Sequence, residues 1–139
     1  MKLEVLTPKR VLVQDTTKYI TIPSELGELG ILEGHSALVT KLNSGVLSYQ
    51  VEGKMQKIAV HFGYAEIRDN HIFILADLAE KPDEIDEATA KKEQAEAEEE
   101  LKNIEDTGSE ALSAAKKIKK KLSIARTRQE IFRTNPTPM

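Results

Sequence analysis

The side chains best suited to chemistry are few in this sequence. There are three histidines, His35, His61 and His71, and no cysteine. No two histidines have the spacing of a metal site such as HExxH, and without cysteine there is no thiol nucleophile, thiolate zinc ligand or disulfide. His61 lies within a strand-like run and His71 in a turn, so a structural or solvent-exposed role is expected for both. His35 follows Gly34 in a loop and is the one histidine for which we consider a functional role.

The motifs of common hydrolases and nucleotide-binding enzymes are also missing. The sequence has no GxSxG, and no Ser, His and Asp are placed to suggest a triad. Residues 27–34, GELGILEG, are rich in glycine but lack the Lys-Ser/Thr pair of a phosphate-binding loop, so turns and bulges account for them. We therefore expect no catalytic residue, no metal site and no enzymatic activity of the chain itself.

The elements that must position these residues divide the chain in two. In residues 1–80 apolar side chains alternate with their neighbours, and turn-forming residues interrupt the pattern at short intervals. Glu52-Gly53 and Asp69-Asn70 predict tight hairpins, and Asn43-Ser44-Gly45 predicts a break between strands. Many short strands of this kind indicate an all-β sandwich or barrel.

Residues 84–133 are typical of two helices joined by a short connection. Pro82 disfavours a helix before it, and Asp83 is expected to cap the helix that follows. Gly108 and Ser109 suit the end of one helix and the start of the next, and residues 134–139 are expected to form a flexible tail. Spacings of three and four predict the seam between the helices: Ala90, Gln94, Ala97, Leu101 and Ile104 against Ala111, Ala115, Ile118, Leu122, Ala125, Gln129 and Phe132.

Charge is segregated between these two helices. Residues 84–106 carry ten acidic residues against three lysines, and residues 116–133 carry eight basic residues against one acid. The seam is rich in alanine, whose methyl group contributes about 0.8 kcal/mol at best, and exposed ion pairs contribute about 0–1 kcal/mol each. We therefore expect a hairpin that opens at modest cost and offers its basic helix to an acidic partner.

The lysine run at residues 116–121, KKIKKK, has three open interpretations: a solvated face, a contact with an acidic protein, or a site for nucleic acid or anionic lipid. A formal charge of −3 and an aromatic content of 4% disfavour nucleic acid, because no stacking residues accompany the lysines. No apolar stretch has the length of a signal-peptide core or a spanning helix, so a cytosolic location is expected, with membrane association only through a partner.

Residues 20–42, ITIPSELGELGILEGHSALVTKL, resemble the signature of the epsilon subunit of F-type ATP synthases. Residues 62–67 (FGYAEI), 74–77 (ILAD) and 85–90 (IDEATA) resemble further stretches of that family, so the resemblance covers essentially the whole chain. It implies an α+β protein: a β-sandwich of about ten strands over residues 1–80, followed by a helical hairpin over 84–133.

The resemblance also implies partners and a function. Such subunits are non-catalytic rotor parts of a proton-translocating complex. The sandwich binds the gamma subunit and the membrane ring of c subunits, and the hairpin reaches the alpha and beta subunits and inhibits ATP hydrolysis. Matching positions place Glu28, Gly34 and His35 at the end that faces the ring. The stretch expected to contact the beta subunit is Lys116, Lys117, Lys119, Lys120, Lys121, Arg126 and Arg128. The location implied is the cytoplasmic face of a bacterial cell membrane, with the chain held there by the complex.

Two positions depart from the family pattern. Glu33 stands where proline is usual, which leaves its loop less rigid. Ile85, Asp86 and Ala90 match a nucleotide-binding motif of some relatives, but Thr89 replaces the arginine of that motif. Losing a charge-assisted contact costs about 1.5–3 kcal/mol, so weak or absent ATP binding is expected and no cofactor is expected. The alternatives left open are an ATP-sensing ligand-binding module and an unrelated β-sandwich adaptor.

Overall fold

The computed structural model describes residues 1–104 and 108–133 of the chain. Within them lie seven strands, a single 3-10 turn at Pro82–Glu84 and two α-helices. The strands are β1 Lys2–Leu6, β2 Val11–Thr16, β3 Tyr19–Ser24, β4 Gly27–Leu32, β5 Leu38–Val51, β6 Lys54–Arg68 and β7 His71–Glu80; the helices are α1 Glu87–Lys102 and α2 Ser109–Arg133. The expected α+β class is confirmed, and so is its division into strands followed by helices.

All seven strands belong to one sheet, in the order β2-β1-β7-β6-β5-β3-β4. The pairing of β1 with β7 is parallel, and every other pairing among these strands is antiparallel. One apolar cluster contains Leu12 and Val13 of β2 together with Ile31 of β4, although these strands are the two ends of the sheet. The sheet therefore folds over on itself and encloses its core as a sandwich.

The number of strands differs from the expected count of about ten because two strands are long. β5 has 14 residues and β6 has 15, so each serves both layers of the sandwich. The predicted break at Asn43-Ser44-Gly45 is wrong, since β5 runs through it in register with β6. The chain bends instead at Phe62 and Gly63 of β6, where φ is +63° and +116°.

The two hairpin turns predicted from the sequence are confirmed. Glu52 and Gly53 have φ of +50° and +77°, and they join β5 directly to β6. Asp69 and Asn70 have φ of +51° and +61° between β6 and β7. Two consecutive residues with positive φ are what the favoured two-residue hairpin turn requires, and Gly and Asn adopt it most readily.

The hairpin of α1 and α2 begins three residues later than Asp83. Asp83 lies in the 3-10 turn, and Asp86 is the N-cap of α1, where its carboxylate accepts a hydrogen bond from the Ala88 amide at 3.1 Å. α2 begins at Ser109, with the Gly108 carbonyl accepting from the Leu112 amide. Part of the connection between the helices and the expected tail at 134–139 lie outside the described residues.

The predicted seam is largely confirmed. Ala97, Ile118 and Leu122 form a small apolar cluster with Leu101 and Ile104 packed against it. Phe132 was also expected in the seam, but it is 38% exposed and Ile131 is buried instead. Phe132 lies one turn beyond Gln129, whose partner Ala90 is already in the first turn of α1, so no helix remains for it to pack on. Among the described helices, none is long and apolar enough to span a membrane.

Candidate functional site

A closed set of hydrogen bonds joins α2 to the sandwich. Thr127 of α2 and Ser44 of β5 exchange a hydroxyl hydrogen bond of 2.7 Å, and Ser44 bonds His61 Nδ1 at 2.9 Å. His61 Nε2 lies 2.8 Å from Glu80 Oε1, and Arg128 Nε donates to the same oxygen at 2.8 Å. Because Thr127 and Arg128 are adjacent in α2, these five residues form a ring, which we call the polar ring.

The polar ring lies between the sandwich and the helical hairpin, and it is largely shielded from water. His61 is buried, and the Glu80 and Arg128 side chains are 15% and 22% exposed. Burial of the Glu80 carboxylate opposes its ionisation, but hydrogen bonds from His61 and Arg128 outweigh burial and hold its pKa below the ordinary value. The guanidinium of Arg128 also donates to Glu93 of α1 at 3.0 Å, so it joins β7, α1 and α2.

A second polar contact lies within the hairpin itself. The buried amide of Gln129 donates to the Gln94 side chain of α1 and to the Ala90 carbonyl at 3.5 Å. The same amide also donates to the Ala125 carbonyl one turn earlier in α2 at 3.2 Å. Gln129 therefore ties α2 to α1, whereas its neighbours Thr127 and Arg128 tie α2 to the sandwich.

The expected contact stretch is divided by the structure into an exposed part and a shielded part. Its lysines are all exposed, and so is Arg126, which lies 3.7 Å from Glu98 of α1; the lysines are Lys116, Lys117, Lys119, Lys120 and Lys121. Lys120 holds its ammonium 5.3 Å from the centre of the Phe62 ring at the bend of β6. Arg128 differs from these residues, because its guanidinium is bonded to Glu80 in the polar ring and its side chain is only 22% exposed. We call the exposed part, Lys116 to Lys121 without Ile118, the lysine face.

The loop expected to face the membrane ring lies at one end of the sheet. Glu28 is exposed in β4, and Gly34 and His35 are exposed in the loop that follows this strand. Gly34 has φ of +82°, a conformation that favours glycine. Glu33 occupies the position where the family usually has proline, and its carboxylate lies 3.4 Å from the amino group of Met1. An ion pair therefore takes the place of the rigid proline side chain at this position.

The residues of the nucleotide-binding motif are engaged with the protein itself. The Thr89 hydroxyl donates to the Asp86 carboxylate at 2.8 Å, and this bond, with backbone bonds from Thr89 and Ala88, lowers the pKa of Asp86. Ala90 is buried under Gln129, and Ile85 is half-buried after the 3-10 turn. These four positions form the start of α1, with the Asp86 carboxylate serving as its cap rather than facing a cleft.

A shallow groove runs between α1 and α2 beside Arg128. Its α1 wall carries Glu93, Glu96 and Glu100, and its α2 wall carries Lys121 and Arg128. Three carboxylates against two cations give the groove a local excess of negative charge.

An apolar band crosses the outer face of the sheet, and the sequence reasoning missed it. Leu6 of β1 pairs with Val11 of β2 and with Leu75 of β7, and Leu75 pairs with Tyr64 of β6. Val39 of β5 lies on the next row, and Val11, Val39, Tyr64 and Leu75 are between 48% and 67% exposed. We call Leu6, Val11, Val39, Tyr64 and Leu75 the apolar band.

A signal for the apolar band was present in β7. Residues 72–75, IFIL, are apolar on both faces of the strand, whereas a strand with one face in water alternates. That run therefore predicts that both faces of β7 are covered, the outer face included. Contiguous exposed apolar surface of this kind marks interaction sites in soluble proteins.

Comparisons with known proteins give a consistent family. A family model described as ATP synthase, Delta/Epsilon chain, beta-sandwich domain matches residues 1–82. The ATP synthase epsilon chain of Pelotomaculum thermopropionicum is 41% identical over 100 residues, which is 72% of this chain and 75% of that one. The epsilon chain of Carboxydothermus hydrogenoformans is 42% identical over 92 residues, or 66% and 69% of the two chains.

Two solved structures share the fold. A chain in the Euglena gracilis mitochondrial ATP synthase OSCP/F1/c-ring structure gives a TM-score of 0.77 at 24% identity, covering 94% of this chain and 79% of that one. A chain in the central stalk/c-ring structure of the Tetrahymena thermophila enzyme gives 0.64 at 19% identity, covering 94% of each. At these identities the likeness concerns the arrangement of the elements and includes both the sandwich and the hairpin.

Proposed function

This chain belongs to the ATP synthase delta/epsilon chain family, and on that premise we propose that it is a central-stalk subunit with two roles. In its coupling role, the sandwich links rotation of the gamma subunit to the ring of c subunits. In its regulatory role, the hairpin restrains ATP hydrolysis by leaving the sandwich and engaging the beta subunits. The chain acts by contact, at the cytoplasmic face of a bacterial cell membrane, within a complex that performs the chemistry elsewhere.

The apolar band supports the coupling role, with the gamma subunit as its occupant. A subunit that transmits torque needs a contact that does not slip, and apolar burial across several strands provides one, at about 25 cal/mol for each Å² removed from water. Tyr64 is the kind of residue that concentrates binding energy at the centre of an interface. The solved chains with the same fold come from structures of F1/c-ring and central stalk/c-ring assemblies, which fits this assignment.

The end of the sandwich at Glu28, Gly34 and His35 is assigned to the c ring. Glu28 is exposed on edge strand β4, where it pairs with Pro23 of β3, and Gly34 and His35 are exposed on the loop that follows β4. A charged, glycine-containing loop suits contact with the polar loops of a membrane subunit, because it presents backbone and side-chain polar groups together. A Glu28→Gln substitution tests this contact by its effect on coupled ATP synthesis in membranes.

One observation carries the regulatory role, namely that the lysine face remains in solvent while the hairpin lies on the sandwich. The charge available to an acidic partner is therefore not consumed by the compact state. An acidic segment of the beta subunit can attract these lysines before the hairpin moves, and the field of several like charges extends over about a Debye length, ~8 Å at physiological salt.

The experiment for the regulatory role is a matched exchange of charges in the assembled enzyme. Lys117, Lys119 and Lys121 of α2 are replaced by Gln in one variant. In the control, the exposed lysines of α1 (Lys91, Lys92 and Lys102) are replaced by Gln. Three exposed contacts of about 0.5 kcal/mol each amount to about tenfold in the engaged fraction, so the α2 variant hydrolyses ATP faster and the control does not. Equal hydrolysis rates in the two variants would refute the regulatory assignment.

The same proposal places no nucleotide on the hairpin. Thr89 bonds to Asp86, Ala90 is covered by Gln129, and the groove beside Arg128 is lined by three glutamates. Millimolar MgATP is therefore expected to leave the melting temperature where magnesium chloride of equal ionic strength leaves it. A rise of several degrees specific to MgATP would show binding to the folded chain and would overturn this part.

A further inference from the structure

The sandwich and the hairpin have separate apolar cores. The large cluster consists of sandwich residues alone, and the small cluster of Ala97, Ile118 and Leu122 consists of hairpin residues alone. α2 nevertheless packs on β5 and β6. Contacts across this boundary include those of the polar ring, a hydrogen bond from the Ser44 hydroxyl to the Ser123 carbonyl at 3.3 Å, and the Lys120 ammonium 5.3 Å from the centre of the Phe62 ring. Each of these contacts uses a polar or charged group.

The polar ring can divide into two halves, and each half keeps the hydrogen bonds that lie within it. On the sandwich side, Ser44, His61 and Glu80 remain bonded to one another after α2 leaves. On the hairpin side, Arg128 keeps its bond to Glu93. The Thr127 hydroxyl loses Ser44, but release exposes it to water, and an unsatisfied polar group costs about 1–3 kcal/mol only while it stays buried. A permanent contact in a core could not separate in this way, because breaking it would leave one buried polar group without a hydrogen-bond partner.

The contact between the two helices has the opposite character. Gln129 sits in the seam with its amide bonded to Gln94 and to backbone carbonyls of both helices. Separating α1 from α2 removes the partners on α1 and also exposes the apolar cluster around Leu122. The seam is therefore held by apolar contact and a satisfied buried amide, and it is the stronger of the two boundaries of α2.

We propose that the polar ring is the latch of the hairpin: Arg128 and Thr127 set the balance between the docked and released states, and release moves α1 and α2 together as an intact pair. The latch is part of the chain and needs no bound ligand. The latch proposal rests on the proposed regulatory role in one respect, namely that the hairpin leaves the sandwich. It adds which atoms hold the hairpin on the sandwich and which boundary opens.

The test measures two distances in the full chain alone. The chain has no cysteine, so pairs of introduced cysteines carry spin labels without background. The Lys54→Cys, Ser113→Cys pair reports the sandwich-to-α2 distance, and the Lys92→Cys, Ser113→Cys pair reports the α1-to-α2 distance. Each pair is measured in the parent chain and in the Arg128→Gln and Arg126→Gln variants. Arg126 is the matched control, because it is also an α2 arginine paired with an α1 glutamate but stays exposed.

Arg128→Gln is expected to raise the ratio of long to short sandwich-to-α2 distances about tenfold, since charge-assisted hydrogen bonds are the stronger ones. Arg126→Gln should change that ratio less than about twofold, as exposed pairs do. The α1-to-α2 distance should stay constant in both. Equal effects of the two variants would overturn the latch, and an α1-to-α2 distance that lengthens together with the other would overturn release as a pair.

A second variant keeps the test decisive if Arg128→Gln disturbs folding. Thr127→Val removes the hydroxyl that bonds Ser44 and nearly preserves volume, so it opens the ring at its other end. It should shift the same distance in the same direction. Thr127 lies outside the lysine face, so this variant also separates the two proposals in the assembled enzyme. If it releases the hairpin in the free chain and hydrolysis stays unchanged, the latch stands and the regulatory function fails.

Discussion

Substitution of Gly63 by alanine tests how the bend in β6 builds both the sandwich and the seat of α2. Gly63 lies in β6 between β5 and β7 with φ of +116°, and an added Cβ would lie 2.1 Å from the Leu75 carbonyl oxygen and 2.9 Å from the Ala76 Cα. Both neighbours are backbone atoms of β7, so neither can swing aside as a side-chain tip could. The strands would have to separate locally, next to Phe62, which contacts Lys120 of α2, and next to His61, which bonds Ser44 and Glu80 in the polar ring.

The magnitude follows from two separate costs. A non-glycine residue in this part of the backbone map costs about 1–3 kcal/mol. Forcing an extra methyl into close-packed backbone costs about 1–3 kcal/mol more. We therefore expect Gly63→Ala to lower the free energy of unfolding by about 2–6 kcal/mol, a large share of the 5–15 kcal/mol typical of a domain. The control is Gly53→Ala, where φ is +77° but no atom lies within 4 Å of the added Cβ.

The assay is chemical denaturation of the two variants, followed by circular dichroism in the strand region. Gly53→Ala carries the backbone cost alone, about 1–2 kcal/mol, so the difference between the variants isolates the steric clash with β7. A difference below about 1 kcal/mol would show that β7 yields easily and would refute the view that the bend is fixed by close packing. The Gly63→Ala variant should also lengthen the sandwich-to-α2 spin-label distance, because His61 moves with the bend.

Three further outcomes follow from the contacts. Burial raises the pKa of Glu80 and hydrogen bonds from His61 and Arg128 lower it, and the Arg128 bond exists only while α2 is docked. This bond therefore stabilises docking while the carboxylate is charged, above its ordinary value of 4.5, and the stabilisation is lost as pH falls through the lowered pKa. The sandwich-to-α2 distance should lengthen in that window, and a Glu80→Gln variant should not show the change. Tyr64→Ser with Leu75→Ser should weaken binding to the gamma subunit at least tenfold by titration without lowering the melting temperature, whereas Leu112→Ser, an equally exposed change on α2, should leave that binding intact. Asn70→Val should lower the free energy of unfolding by about 1–2 kcal/mol because φ is positive there, and Asn70→Gly should cost nothing measurable by denaturation.

The features that sequence predicted well are local. The hairpin turns at Glu52-Gly53 and Asp69-Asn70 depend on the φ preferences of adjacent residues. The seam around Leu122 depends on a spacing of three and four within one helix. In both cases the determining residues are near one another in the chain, so the local sequence is sufficient to predict the structure.

The features that sequence missed depend on residues far apart in the chain. Ser44 and Thr127 are 83 positions apart, and Glu80 and Arg128 are 48 apart, so nothing in the local pattern joins them. Asn43-Ser44-Gly45 has turn composition but lies inside β5, where Gly45 allows close approach of Pro23. His61 was expected in a structural or exposed role, and its place between Ser44 and Glu80 is structural. Sequence excluded a catalytic role for this histidine but left its burial and its partners open.

Arginine and lysine have different roles in the charge segregation of the two helices. The sequence predicted weak pairing between the acidic and basic helices and a basic helix offered to an acidic partner. Among the described residues, the ion pairs between α1 and α2 are those of Arg126 with Glu98 and Arg128 with Glu93, and both use arginine. The lysine face forms none of these pairs. Arginine, with its planar fork of donors, suits fixed pairing, whereas lysine presents a mobile point charge.

This division separates the residues that hold the hairpin from those that act on a partner. Removing the charge of Lys117, Lys119 and Lys121 should change hydrolysis in the assembled enzyme and leave docking in the free chain unchanged, whereas removing Arg128 should change docking directly. A chain that used the same residues for both purposes would strengthen inhibition only by weakening its compact state. Here the two properties can vary separately, because the lysines are exposed whereas the Arg128 side chain is 22% exposed and bonded to Glu80 and Glu93.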